Sequence, residues 1–141
     1  RFRLEKSVYM VTTKMQLVSC DPKYWEFVRQ LRVDPRVQDG FLQQHASITQ
    51  EQQHRYMTNN SHNYRVCLVD QTPAGYIGVL DNDIRICTHP DFQRRGVAKF
   101  MVKAMMQLYP HAVARIKISN KASLALFTRC GFTAELITMR Q

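Results

Sequence analysis

The chain is short of acidic residues, of paired cysteines and of long apolar runs, and each shortage excludes something. Against 20 Lys and Arg stand only 11 Asp and Glu, a formal net charge of +9. That balance favours an anionic ligand or partner and says nothing about fold. Cys20, Cys67, Cys87 and Cys130 are far apart and form no Cys-x-x-Cys. Neither a disulfide framework nor a metal site is indicated, and reduced thiols in the cytoplasm fit best. No apolar run approaches the eighteen or so residues of a membrane span. Arg1-Phe2-Arg3-Leu4-Glu5-Lys6 leads into no apolar stretch of the secretory kind, so the sequon Asn59-Asn60-Ser61 reads as chance. Two phosphate loops are also missing. There is no Gly-x-x-x-x-Gly-Lys-Ser/Thr and no Gly-x-Gly-x-x-Gly. What remains, 141 residues with 45% apolar content, is expected to form one domain over residues 1–141 with a real core.

The informative stretch is 84–100. Ile84, Ile86 and Thr88 alternate as in a half-buried strand, and Pro90, which cannot donate to a ladder, stops it. From Val97 the spacing becomes helical, through Phe100, Met101, Ala104, Met105 and Leu108. Between strand and helix lies Gln93-Arg94-Arg95-Gly96-Val97-Ala98, followed by Lys99. A tight turn at a helix start presents N–H groups without internal partners, and the helix dipole adds partial positive charge there. With Arg94, Arg95 and Lys99 beside it, the turn reads as a pyrophosphate cradle.

Thr88 to Ala98 resembles the acetyl-CoA-binding motif of the GNAT N-acetyltransferase superfamily, Gln/Arg-x-x-Gly-x-Gly/Ala. A second element, Ser119-Asn120-Lys121-Ala122-Ser123-Leu124-Ala125-Leu126-Phe127-Thr128-Arg129-Cys130-Gly131-Phe132, is similar to that family's Asn-x-x-Ala-x-x-Leu-Tyr-x-x-x-Gly-Phe. The resemblance covers roughly residues 64–139. It implies an α/β, single-domain GNAT acyltransferase fold, a mixed central β-sheet flanked by four helices. It also implies a cofactor, acetyl-CoA or another short acyl-CoA. The pantetheine arm would pair with the backbone of Ile86, Cys87 and Thr88. The pyrophosphate would lie on Gln93, Arg94, Arg95, Gly96, Val97, Ala98 and Lys99. Asn120 matches a cofactor-contacting asparagine and suits equally well as a helix cap.

The rest of the chain can be read in the same order. Residues 1–13 are an edge strand or a flexible arm, and Lys14–Cys20 is the first secure strand. Asp21-Pro22 starts a helix carrying Tyr24, Trp25, Phe27, Val28 and Leu31 on its apolar face, and Asp34-Pro35 closes it. Val37 to Ser47 is loop-like. Thr49 and Gln52 form the capping box of a second helix that runs to about Met57. Tyr64–Asp70 and Gly75–Leu80 are strands around a Gln71–Ala74 turn. Strands are expected at Val113–Ile118 and Phe132–Met139, on either side of a helix that Gly131 ends.

Catalytic groups are harder to place. The resemblance implies a tyrosine acid at position 127 and a glutamate base near position 115, where this chain has Phe127 and Arg115. Asp81 and Asp83, two apart, would share a strand face. Asp83 is then a candidate for a water-mediated base, or else a turn carboxylate. His89 reads as a loop histidine. Cys87 and Cys130 lack an activating base for nucleophilic work. Arg29, Arg32, Arg36, Glu51 and His54 on the early helices either orient a polar amine or are solvated.

The expected activity is acetyl transfer to a primary amine in a ternary complex. The acceptor would be an amino-sugar nucleotide, a nucleotide or a protein amine. The alternatives are a CoA-binding sensor without turnover and a basic nucleic-acid-associated domain. No metal and no membrane are expected, and the state is a monomer or a homodimer.

Overall fold

In the computed structural model, which describes residues 13–44 and 47–141, two two-residue reversals and one bridge generate the architecture. Strand β1 (Met15–Ser19) pairs antiparallel with β2 (Tyr64–Val69). β2 turns through Asp70 and Gln71, both at positive φ, into β3 (Thr72–Leu80). β3 turns through Asp81 and Asn82, at φ 50° and 63°, into β4 (Asp83–Thr88). Asp and Asn tolerate the left-handed region, as such hairpin turns require. The first turn thus sits one or two residues before the expected Gln71–Ala74. Pro73 is inside β3 near its start, next to the irregularity at Cys67/Leu68, where the ladder is already broken.

Four α-helices flank this sheet: α1 (Trp25–Val33), α2 (Gln50–Asn60), α3 (Val97–Leu108) and α4 (Lys121–Arg129). The Thr49/Gln52 capping box forms as read, with both reciprocal hydrogen bonds. A short 3₁₀ turn, Pro22–Tyr24, precedes α1, and Asp21 makes no side-chain cap there. Residues Pro35–Gly40 form a second 3₁₀ turn inside the expected loop.

The strand alternation sends two sets of side chains to two cores. Cys67, Ile77, Val79 and Ile84 pack on one face with Val97, Met101, Val102 and Met105 of α3 and Phe127 of α4. Tyr64, Val66, Tyr76 and Cys87 pack on the other with Val28 and Leu31 of α1 and Met57 of α2.

Two expected strands need correction. The parallel part of the sheet is a single bridge, Asp83 to Val113; residues 114–118 continue without a ladder. Phe132–Met139 is not a strand either, and Leu136, Ile137 and Met139 are exposed. Their apolar pattern is right for β structure, but a strand exists only where a neighbour accepts its hydrogen bonds. The expected edge strand or arm over residues 1–13 lies outside the described residues, save Thr13.

Gly78 is fixed by packing. A Cβ there would meet the Tyr64 ring at 2.6 Å. Tyr64 is fully buried and tied by its hydroxyl to that of Tyr56 at 2.7 Å, so it cannot swing away freely. Gly78→Ala is therefore expected to destabilise the fold by about 1–3 kcal/mol through overpacking. Urea unfolding reads this as a lower midpoint at unchanged slope; a midpoint equal to that of the parent would show that the ring relaxes without cost.

Candidate active site

The site is the fork where β4 loses its neighbour. The β3–β4 register pairs Tyr76 with Cys87, Gly78 with Arg85 and Leu80 with Asp83. His89 N–H donates to the Ala74 carbonyl at 2.8 Å, so the odd-numbered residues of β4 direct their backbone groups to β3. The even-numbered ones face the other way. Ile84 N–H donates to Val113 C=O at 2.9 Å, and Val113 N–H donates to Asn82 C=O at 2.7 Å. Beyond Ile84 the two segments part. The groups of Ile86 and Thr88 therefore face the fork with no strand beside them, while those of Cys87 belong to the β3 ladder. Of the three strand residues expected to pair with a pantetheine arm, two are so placed.

At the far end of β4 the chain makes the expected turn. Pro90–Phe92 is a 3₁₀ turn, Arg94 takes φ 63° and Gly96 takes φ 80° as the cap of α3. Gln93, Arg94, Arg95, Gly96 and Lys99 are exposed, whereas Val97 is buried and Ala98 half-buried. Phe100 N–H reaches back to the Gly96 carbonyl, so the N–H groups of Val97, Ala98 and Lys99 have no acceptor inside the helix. A Cβ on Gly96 would touch nothing within 4 Å, which leaves the space over these amides open. Three cations, free amides, a helix N-terminus and open space suit a pyrophosphate. These residues fit the anionic end of acetyl-CoA.

Between the fork and the early helices lies a cavity of about 470 Å³. Its walls include Tyr64, Tyr76, Asp83, Arg85, Ile86 and Phe127, with Arg32 from α1 and Arg115 from the segment after α3. The Gly40–Gln43 stretch closes one side, held by Lys117 Nζ donating to the Asp39 carbonyl at 3.1 Å. Asn120 is there too. Its Oδ1 accepts from Ser123 N–H at 3.1 Å as the cap of α4, and its Nδ2 stands 3.5 Å from where a Gly40 Cβ would sit. It is a cap and a cavity-lining residue at once.

Asp83 occupies the wall, but it is not free. Arg115 donates Nε to Oδ1 at 3.2 Å and Nη2 to Oδ2 at 3.0 Å, and Arg85 Nε stands 3.7 Å from Oδ2. Asp81 does not share its face, because it belongs to the turn before β4. His89 is a loop histidine. Its Nδ1 accepts from Asp91 N–H, and its ring stacks near Phe27. Burial pushes the Cys87 thiol up to about 12, which keeps it protonated and unsuited to attack. Phe127 is buried, with its ring edge-to-face on Phe132 at 5.0 Å.

Of the early-helix residues, only Arg32 reaches this cavity. Arg29 pairs with Glu26, Arg36 with Asp34, and Arg55 with Glu51. Sequence reasoning missed Arg85, Tyr64 and Tyr76. The signal was available, since Arg85 is two residues from Asp83 on one strand face.

A basic helix-capping turn thus lies at one end of an open-edged strand, with a polar cavity beside the other end. The profile of the acetyltransferase (GNAT) family matches residues 25–132, and the chain belongs to that family of N-acetyltransferases. Acetyl-CoA is its usual cofactor.

Solved structures show the same fold at low identity. A domain from Methanocaldococcus jannaschii superimposes with a TM-score of 0.75 at 18% identity, covering 86% of this chain and 90% of that one. A ribosomal L7/L12 alpha-N-protein acetyltransferase in complex with coenzyme A gives 0.73 at 19% identity, covering 89% and 83%. The spermidine N-acetyltransferase of Vibrio cholerae, in complex with CoA and spermine, gives 0.75 at 12% identity, covering 86% and 82%. No curated protein matches the chain by sequence.

Replacing Gly96 by valine should lower CoA affinity by about tenfold or more, that is by at least roughly 1.4 kcal/mol. A β-branched residue is strained at φ 80° and intrudes on the open space over the amides. Calorimetry on variant protein whose thermal unfolding confirms that it is folded decides the matter, and equal affinity would remove the loop as the phosphate site.

Proposed function

We propose that the chain transfers an acetyl group from acetyl-CoA directly to a primary amine, with both bound at once across the open edge of β4. The observation that carries this reading is the position of that edge, between the phosphate loop on one side and the arginine- and tyrosine-lined cavity on the other. Acetyl-CoA, when bound, supplies the acetyl group as a thioester.

The chain supplies placement. Gln93 to Lys99 holds the anionic end, and the backbone of Ile86 and Thr88 holds an extended arm as a strand would. The Ile86 N–H is the donor available at the fork for negative charge developing on an acyl oxygen. Holding two reactants together can supply most of the acceleration such a transfer needs.

No side chain is assigned as nucleophile, since the Cys87 thiol is held protonated by burial. Asp83 bears on the amine through its neighbours. With both oxygens on Arg115 it keeps that guanidinium, and Arg85 beside it, oriented at the cavity wall. The amine's proton would leave to solvent through the cavity mouth, and as the carbon–sulfur bond breaks the freed sulfur would take up a proton from solvent and depart as the coenzyme A thiol.

Initial-rate kinetics with varied acetyl-CoA and a panel of primary amines test the reading. Intersecting lines are expected. Parallel lines with a trapped acetyl-protein would overturn direct transfer. Protein that binds CoA yet acetylates none of the amines would be the sensor instead.

Asp83→Asn should change turnover by less than about threefold while raising the KM for the amine. A fall in turnover of about 10²–10⁴-fold at unchanged KM would make Asp83 the general base.

A further inference from the structure

The charges around the cavity say what kind of amine fits it. Three guanidinium groups line it, brought from three separate parts of the chain: Arg32 from α1, Arg85 from β4 and Arg115 from the segment after α3. Among the described residues Asp83 is the one carboxylate in the same lining, which leaves an excess of two positive charges there. Arg115 is taken up by Asp83 through two hydrogen bonds. Arg32 pairs with no carboxylate among the described residues. Its Nη1 is 3.5 Å from the Gln53 Oε1, and its guanidinium lies over the Tyr56 ring at 5.3 Å. Arg85 is 46% exposed and touches Asp83 only at 3.7 Å. Arg32 and Arg85 are thus the two cations left to meet a ligand.

These charges are not part of the phosphate cradle. Asp83, Arg85 and Cys87 project to the face of α1 and α2, because Cys87 and its partner Tyr76 belong to that core. The loop that carries Arg94 and Arg95 leads into α3, which packs on the opposite face. Arg85 also lies three residues before the end of β4, about 10 Å along a strand from Thr88.

We infer that the acceptor is a primary amine that also carries an anionic group, a carboxylate or a phosphate, held by Arg32 and Arg85. The inference rests on the acetyl-transfer reading above and names its substrate class. Planar guanidinium groups match either anion through paired N–H donors. The Tyr64 and Tyr76 rings offer an apolar wall for the carbon skeleton between amine and anion. A polyamine would set its ammonium groups against the same arginines. The likeness to a spermine-bound structure at 12% identity shows a shared fold and carries no substrate across.

Calorimetry on the full chain saturated with CoA tests this, because CoA has no acetyl group to give and binding is read alone. Glucosamine 6-phosphate is compared with glucosamine, an α-amino acid with its amide, and spermidine with all four. Each anionic amine is expected to bind roughly tenfold or more tightly than the counterpart that lacks the anion, the gain of a charge-assisted contact. The phosphate and carboxylate pairs show which anion is preferred. Arg32→Gln and Arg85→Gln should each erase most of that difference while leaving CoA affinity unchanged. Arg55→Gln, outside the cavity, should leave the preference intact.

Spermidine binding as tightly as the anionic amines, or full selectivity in both cavity variants, would overturn the inference. Acetylation of spermidine in preference to the anionic amines would do the same while leaving the acetyl-transfer reading standing. Selective binding of anionic amines by protein that transfers no acetyl group would support the charge assignment and remove the transfer.

Discussion

The site depends on a pairing that stops after one step. Val113 reaches β4 through two hydrogen bonds, one to Asn82 and one from Ile84, and the chain then turns away toward Asn120. An unpaired strand edge is ordinarily a hazard, because its N–H and C=O groups invite another chain. On β4 the open edge amounts to Ile86 and Thr88, a stretch of only two outward-facing residues. An extended arm of amide groups can complete such an edge, whatever the side chains are. Continuing the Val113 ladder to Ile118 would close the fork and leave the Gly96 turn with no route to the cavity.

The period of two along β4 then divides the labour. Ile84, Ile86 and Thr88 direct backbone groups into the fork, and their side chains face α3. Asp83, Arg85 and Cys87 direct backbone groups into β3, and their side chains face α1 and α2. One strand thus offers its main chain to the fork and its charged side chains to the cavity. Gly78 serves the same arrangement from the next strand. It stands directly opposite Arg85 and Tyr64 in the ladder, and its missing side chain lets the Tyr64 ring lie across the sheet behind the cavity.

Local signals were legible in the sequence wherever chemistry acts over a few residues. The capping box at Thr49, the left-handed Gly131, the loop at Gly96 and the helical spacing of α3 could each be read within a dozen positions. Long-range pairing could not. Val113–Ile118 and Phe132–Met139 carry β-type patterns, but whether a strand forms depends on a neighbour that no local pattern specifies. Asp83 was found as a candidate carboxylate and its environment was not, because Arg115 lies 32 residues away. A residue's partners across a fork follow from topology, and for the same reason the two tyrosines escaped notice, whereas Arg85 could have been read from its spacing to Asp83.

The electrostatics of two anionic ligands meeting on one strand make a further demand. An acceptor bearing a carboxylate or phosphate must enter near a cofactor that carries several phosphate charges of its own. At a separation of about 20 Å in water, each pair of unit charges costs only about 0.2 kcal/mol, and salt screens most of it. The repulsion is small if the two anions are kept at opposite ends of the strand. The chain does this by placing Arg94, Arg95 and Lys99 beyond Thr88, and Arg32 and Arg85 toward Asp83. The net charge of +9 adds an attractive field for both ligands during their approach. A uniformly basic surface would supply that field but not the separation. The separation comes from putting the cations at the two ends of β4 and pairing one of them, Arg115, with Asp83 in the cavity.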